Sequence, residues 1–510
     1  MLTIPQVVRA AAEFGDREAL VAGDRRWTFR DLVHEVERCA RSFIALGLAP
    51  HDRVAVWAPN SPEWMFAALG AQMVGGVLVP INTRFKGAEA AYVIERSGAS
   101  FLFVQNGFLD IDYSSEVSGH PTPSLVHVVD VAGSSWNDFV RAGEGVSASV
   151  LAEREVAVGP DDLCDIIFTS GTTGRPKGVM SRHDQTIRVF LEWSAIVGLD
   201  AEDRYLIVNP FFHTFGYKAG FLACLLRGAA MLPLAVFDVP NVLRMVSTER
   251  ITALPGPPTL YLSILNHPER DAFDLSSLRL AVTGAAAVPV EMIRRMREEL
   301  SFRVILTAYG LTESTGTITM CRQDDDPETI SSTSGRAIDD IEVRVVDENN
   351  VEVPRGTAGE IVCRGYNVMP GYFADPVATA DTIDDDGWLH TGDIGVMDTR
   401  GYVTITDRLK DMFIVGGFNA YPAEIENALL GHPAVAQVAV VGRPDERMGE
   451  VGHAFVVRRT GESVGSDELI EWARTRMANY KVPRGITFVE SLPLNASGKV
   501  LKFELRERLR

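Results

Sequence analysis

Short β-branched runs alternate with segments of helical period from the start of the chain, and the alternation changes character twice. Residues 53–58 (RVAVWA) read as a strand, 62–72 as a helix, 77–80 as a strand, 88–96 as a helix and 100–104 as a third strand. That rhythm predicts parallel sheets covered by helices. The most apolar stretch, 64–79, is interrupted by Gln72 and three glycines and is short for a bilayer span, so it predicts a buried helix running into a strand. Residues 110–159 are looser, with Gly, Ser and Glu clusters, and predict no clear element. The rhythm returns with strands expected at 163–168, 205–209, 231–234, 251–254, 278–283 and 304–308. After Gly335, the runs 341–347, 359–364 and 402–407 read as a meander separated by Gly and Pro turns. From Asp411 the order becomes β-α-β-β-α-β, a domain-sized segment.

Composition changes this picture little, but charge changes it more. A chain of 510 residues is too long for one core. The expected fold is α/β: a large N-terminal domain, 1–409, of parallel α/β sheets plus a β-barrel-like meander, and a small α+β domain, 410–510. The formal charge is −19, and all of the deficit lies before residue 411; the remainder carries 13 basic and 13 acidic residues. An acidic body argues against a nucleic-acid binder, although a local positive site could still take a small polyanion. Five scattered cysteines imply neither a metal knuckle nor a disulfide framework. Residues 1–20 lack a basic segment followed by an apolar one and do not read as a signal peptide, so a cytoplasmic location is expected. Oligomeric state is not readable, and a homodimer stays open.

Only seven of the 49 basic residues are lysine: Lys86, Lys177, Lys218, Lys410, Lys481, Lys499 and Lys502. Where Arg serves for ordinary surface charge, a retained lysine points to a place that needs a compact ammonium. Lys177 closes the most informative run in the chain. Thr169, Ser170, Gly171, Thr172, Thr173 and Gly174 are six successive hydroxyl or glycine residues, followed by Arg175, Pro176, Lys177 and Gly178. Glycines let backbone N–H groups approach a phosphate, hydroxyls add donors, and the ammonium adds charge. The spacing is not that of a Walker A loop, because Lys177 is followed by Gly178.

This loop resembles the phosphate-binding signature of the adenylate-forming superfamily: acyl-CoA synthetases, luciferases and peptide-synthetase adenylation domains. Further runs follow in that family's order. Residues 308–313 (AYGLTE) resemble its adenine and magnesium motif, 391–393 (TGD) its ribose-binding aspartate and 407–411 (DRLKD) its interdomain hinge. Residues 416–422 (GGFNAYP) resemble the loop after the hinge, and 493–499 (PLNASGK) the C-terminal catalytic lysine motif. The resemblance implies an acid–thiol ligase using ATP, Mg²⁺ and CoA. Lys499 would bridge the carboxylate and the α-phosphate, Thr312 would contact that phosphate, and Glu313 would bind the metal. Ala308, Tyr309 and Gly310, with Gly284, Ala285 and Ala286, would line the adenine and acyl sides. Asp393 would accept from the ribose hydroxyls, assisted by Arg408. Lys410 would be the hinge, and Gly416, Gly417 and Phe418 would form the thiol tunnel to CoA.

The acid is harder to read. Where amino-acid-activating relatives place an aspartate for the α-amine, this chain has His213, in the run 209–220 (NPFFHTFGYKAG). An acid without an α-amine is therefore favoured. His213 and Phe215 would form the acyl gate, with a satisfied core histidine as the competing reading of His213. Lys218, five residues on, is expected to face a polar part of the acyl group or the CoA entrance. Relatives that carry a lysine before the next Phe-Asp differ from this chain, which has Val236 before Phe237 and Asp238. Residues 209–220, 254–259 and 274–278 also resemble a group of actinobacterial ligases for the propanoate side chain of the bicyclic ketone left from sterol rings C and D. A fatty acid, transfer to a carrier protein instead of CoA, and a non-catalytic nucleotide binder are the alternatives.

Overall fold

The computed structural model describes residues 2–169, 176–284, 288–408, 411–415, 418–445, 447–477, 479–494 and 500–509. The chain groups into two compact units, Met1–Val343 with Cys363–Leu389, and Arg344–Val362 with His390–Arg510. The second unit takes in 344–362 and 390–409 beside the stretch expected for the small domain.

The first unit contains a six-stranded sheet in the order His127–Asp130, Phe101–Val104, Arg53–Trp57, Val77–Pro80, Leu163–Thr169, Lys177–Arg182. Its first five strands are parallel, and Lys177–Arg182 returns antiparallel along the edge. The helix Pro62–Met73 illustrates how local signals set these crossovers. Ser61 accepts from the Trp64 N–H as N-cap, Pro62 supplies the preset φ of the first turn, and every residue of the helix except Glu63 is buried. A helix apolar on every face belongs inside. Trp57, Val79, Ile94, Leu102, Val104, Tyr113 and Ile166 form the core on one side of the sheet.

A second parallel system has strands Glu18–Ala22, Ala230–Pro233 and Arg204–Ile207, flanked by the antiparallel Arg25–Thr28. Ala253 bridges Tyr205 on one side and Leu280 on the other, joining it to Leu280–Gly284 and Val304–Tyr309. The strand expected at 251–254 is present as the single bridging residue Ala253, and the pairing continues past Pro255: the Leu254 and Gly256 N–H groups donate to Leu280 O and Val282 O, both at 3.0 Å. The unassigned stretch 110–159 holds the strand His127–Asp130 and the helices Tyr113–Ser118, Ser134–Ala142 and Ala148–Val156.

In the second unit, strands Ile341–Val346, Ala358–Gly365, Leu389–Met397 and Val403–Arg408 lie side by side in chain order, most of their residues within this unit. The C-terminal part has the sheet order Phe418–Ala420, Phe413–Val415, Gly449–Arg458, Val435–Asp445, with Gly485–Phe488 parallel to Gly449–Arg458. Val415, Ile425, Leu429, Val440, Val451, Val456 and Leu469 form its core. The expected β-α-β-β-α-β order is present, with an extra strand in the first hairpin and a closing helix, Lys502–Glu507.

His183, at the start of the helix His183–Val197, is fully buried and its Nδ1 accepts the Ile4 N–H at 3.1 Å. It thereby pins the N-terminal helix Ile4–Ala11. Burial pushes its pKa down to about 4, with Lys218 adding to the shift and Asp162 opposing it. The folded state then binds fewer protons than the unfolded one between pH 4 and 6.5, so stability is full above this window and falls within it. Between pH 7 and 4.5 this residue alone should remove about 2 kcal/mol. Urea midpoints should show a correspondingly smaller acid loss in a His183→Asn variant, which keeps an acceptor without the titration.

Candidate active site

The strands Leu163–Thr169 and Lys177–Arg182 form the hairpin that carries the expected phosphate loop. Their register sets Thr169 opposite Lys177 and Phe168 opposite Gly178. Ser170, Gly171, Thr172, Thr173 and Gly174 lie outside the described residues, as do Ala285, Ala286, Lys410, Gly416, Gly417 and Lys499. A Cβ at Gly178 would stand 2.8 Å from Ile166 Cγ2, so close packing of the hairpin accounts for that glycine.

A segment that sequence reasoning overlooked lies along the outbound strand. The Phe373 N–H donates to Gly178 O at 2.7 Å, the Met180 N–H to Gly371 O at 3.2 Å, and Tyr372 bridges Val179. This backbone pairing aims Tyr372 at two expected site residues. Its hydroxyl donates to Glu313 Oε1 at 2.8 Å, and Lys177 Nζ lies 4.9 Å from its ring centroid. Burial pushes the Tyr372 hydroxyl pKa up, and the Glu313 carboxylate pushes it further, so this hydroxyl is a donor at neutral pH. The ammonium over the ring is a cation–π contact. Sequence reasoning did not single out Tyr372; only its position beside Lys177 and Glu313 brings it to the site.

Glu313 sits in the short turn Thr312–Ser314, just beyond the strand Val304–Tyr309 that carries Ala308 and Tyr309. Ser314 Oγ accepts the Leu311 N–H at 2.9 Å, the Met369 N–H donates to Glu313 O at 2.9 Å, and Thr315 Oγ1 donates to Asn367 O at 2.8 Å. The turn is therefore held from both sides. A Cβ on Gly310 would fall 2.3 Å from Gly316 O, and one on Gly284 would fall 2.4 Å from Ala308 O. Both glycines permit backbone to approach backbone. Tyr309 is buried. Thr169, Gly284 and Tyr309 are each the last residue of a strand with parallel neighbours, where open α/β sheets bind ligands.

In the second unit, Asp393 and Arg408 are opposite one another across the antiparallel strands Leu389–Met397 and Val403–Arg408. Asp393 is buried, its N–H donating to Thr391 Oγ1 at 3.1 Å. Glu360 accepts the Gly392 N–H at 2.9 Å and lies 2.8 Å from His390 Nδ1, which orders the turn leading to Asp393. The backbone of Phe418 pairs with Val415.

His213 is exposed, with Nδ1 accepting the Phe215 N–H at 3.1 Å as the cap of the turn Thr214–Gly216, so it is not a core histidine. Phe215 is half-buried beside it. Lys218 requires a correction. It is 1% exposed, and its ammonium meets Asp165 Oδ2 at 2.9 Å, Ser181 Oγ at 2.9 Å and Thr186 Oγ1 at 3.2 Å. All three ammonium donors are used inside the protein, which leaves none for an acyl group or CoA. The signal was legible: Asp165 is a charge within an otherwise apolar strand, and a buried carboxylate needs a cation.

Among the described residues no group of three or more His, Cys, Asp or Glu could hold a metal ion. One carboxylate, Glu313, still suits a magnesium ion whose other ligands are phosphate oxygens and water. Also among the described residues, no helix is long and apolar enough to cross a membrane.

Lys177 ends the glycine- and hydroxyl-rich run, with Tyr372 linking it to Glu313, and these features point to a class. The chain belongs to the AMP-binding enzyme family, which it matches over residues 7–373, with the family's C-terminal domain at 424–499. It is an acyl-CoA ligase acting on a carboxylic acid, ATP and CoA. It is 52% identical to the 3-[(3aS,4S,7aS)-7a-methyl-1,5-dioxo-octahydro-1H-inden-4-yl]propanoyl:CoA ligase of Rhodococcus jostii, over 98% of this chain and 97% of that one. The ligase of the same name from Mycobacterium tuberculosis is 48% identical, over 99% and 98%. Among solved structures, ATP-bound MatB from Rhodopseudomonas palustris is similar with a TM-score of 0.88, 31% identity and 98% of each chain covered. The anthranilate CoA ligase AuaEII with anthranoyl-AMP gives 0.89 and 28%, over 99% of this chain and 97% of that one.

The Gly310 packing supplies a test. Gly310→Ala should lower stability by about 2–3 kcal/mol, because both partners of the clash are backbone. Thermal unfolding without nucleotide reads this directly; an unchanged midpoint would mean that Gly310 is not held by the 310–316 turn.

Proposed function

We propose that this ligase works in two half-reactions on the propanoate side chain of a sterol-derived bicyclic diketone. A carboxylate oxygen attacks the α-phosphorus of ATP, the bond to the bridging oxygen breaks, and pyrophosphate leaves. The CoA thiolate then attacks the acyl carbon of the acyl-AMP, and AMP departs. The observation that carries this reading is the meeting of Lys177, Tyr372 and Glu313 at the mouth of the hairpin. Bringing a carboxylate to a polyphosphate requires fixed positive charge in a dry site.

In this reading Thr169, Ser170, Gly171, Thr172, Thr173, Gly174 and Lys177 bind the phosphates, and Thr312 contacts the α-phosphate. Magnesium, when bound, neutralises phosphate oxygens, and Glu313 would hold it. Tyr309 offers adenine its face between Gly310 and the Gly284–Ala286 side, and Asp393 with Arg408 takes the ribose hydroxyls. Lys499 bridges carboxylate and α-phosphate during adenylation. Rotation of the C-terminal domain about Lys410 then withdraws Lys499 and presents Gly416, Gly417 and Phe418 to the pantetheine arm. His213 and Phe215 guard the acid. Two relatives near half identity over almost the whole chain, both named for that bicyclic propanoate, support the choice of substrate. A cytoplasmic setting suits ATP and CoA, and the five cysteines are buried and unbridged.

Pyrophosphate release with a panel of acids, with and without CoA, tests the reading. The bicyclic propanoate should give the highest kcat/KM, with a CoA ester as product. Pyrophosphate without a CoA ester would replace CoA by a carrier protein, and silence across the panel would sink catalysis. The division of labour has its own check in Lys499→Ala. Adenylation should fall at least about 100-fold, the scale for losing a preorganised charge at the transition state. Thioester formation from pre-made acyl-AMP should be retained; equal loss in both steps would refute the rotation.

A further inference from the structure

Lys218 and Asp165 are among the most deeply buried charges in the described chain, at 1% and 0% exposure, and the reaction outlined above uses neither. A buried ion pair is weak ground for stability, since well-packed apolar side chains of similar volume often do as well. What it provides that an apolar pair does not is direction. Asp165 lies on the inbound strand four residues before Thr169, and its cross-strand neighbour Ser181 lies on the outbound strand four residues after Lys177. Thr186 is on the helix that follows. Lys218 is bonded to all three, and therefore to the base of the phosphate-loop hairpin.

The other end of this contact is the segment bearing His213. Lys218 belongs to a π-helical turn, Tyr217–Leu222, a wide and rarely used geometry that can slip against the ordinary α-helical one. The N–H groups of Gly216 and Tyr217 both donate to His213 O at 3.0 Å, so the position of residue 217 sets that of the gate. Gly216 is wedged so closely that a Cβ there would stand 2.2 Å from Pro210 O. Tyr217 reaches the same hairpin by a second route: its hydroxyl accepts from Gln72 Nε2 at 2.7 Å, and Gln72 Nε2 also donates to Cys164 O at 2.9 Å. Two successive residues of the π-turn are thus tied to two successive residues of the inbound strand.

We propose that the Asp165–Lys218 pair positions the acyl gate against the phosphate-loop hairpin, fixing the π-turn so that His213 and Phe215 stand where the acid must meet the α-phosphate. Lys218 is a positioning residue, not a catalytic one. The proposal rests on His213 and Phe215 being the acyl gate. A salt bridge with three directional bonds admits one rotation of the turn, whereas an apolar pair would admit several.

The test replaces both charges together, Asp165→Leu with Lys218→Met, which keeps volume and removes the unpaired-charge penalty of either single change. Thermal unfolding should stay near the wild type. Hydrogen exchange in residues 211–222 should quicken at least tenfold, and KM for the preferred acid should rise at least tenfold while KM for ATP moves less than threefold. A purely structural pair would shift the unfolding midpoint and leave that split in KM absent. Ser181→Ala with Thr186→Val, which keeps the charges paired and removes two of the three bonds, should give about a threefold rise in the acid KM if the double replacement does not fold. Unchanged exchange in 211–222, or an unchanged acid KM in a folded variant, overturns the proposal. Exchange needs no substrate, so it decides this point even if no acid is turned over, an outcome that would instead defeat the functional reading.

Discussion

The antiparallel pairing of Leu163–Thr169 with Lys177–Arg182 is the contact from which the chemistry of the first unit is arranged. It sets Thr169 against Lys177 at one end and Asp165 against Ser181 nearer the other. The free edge of the outbound strand accepts the Gly371–Phe373 segment, which delivers Tyr372 to Lys177 and Glu313. The inner face receives Lys218. A hairpin that shifted register by one residue would turn every one of these side chains to the opposite face. The register of the ladder, more than any single side chain, therefore keeps Lys177, Tyr372 and Lys218 in their places.

The few lysines show how an acidic chain handles charge locally. Lys177 lies over the Tyr372 ring, whose hydroxyl in turn donates to Glu313, a contact that orients the ammonium without neutralising it. Lys218 is the opposite case, fully compensated and dry. Lys481 and Lys502 pair with Glu424 and Glu426, two residues apart and so on different faces of the helix Pro422–Leu430. Lys502 is thus held by a carboxylate in a partly buried ion pair. The −19 of the whole chain describes solubility, while these pairings decide which ammonium groups are available to a polyanion.

Much of this was legible before any coordinates. The runs at 53–57, 62–73, 77–80 and 101–104 form strands and a helix close to their expected limits because burial on both sheet faces leaves an unbroken apolar signal. The stretch 110–159 was not legible, since its elements are short and half-exposed. At the site, ordered motifs identified Thr169, Lys177, Glu313, Asp393 and Arg408 as residues of interest. Lys218 was expected to face the acyl group or the CoA entrance from its distance to His213 in the chain, whereas Asp165, Ser181 and Thr186, all more than 30 residues away, take its ammonium.

The sequence by itself determined the family and the class of chemistry, because glycines, hydroxyls and rare lysines in a fixed order have few other physical uses. Only the tertiary structure decided which of those groups meet. Tyr372 reaches Glu313 from 59 positions away, and Lys218 reaches Asp165 across 53, through backbone ladders whose partners no local pattern specifies. A side chain's type limits what it can do, but its direction is set by the register of strands distant in the chain.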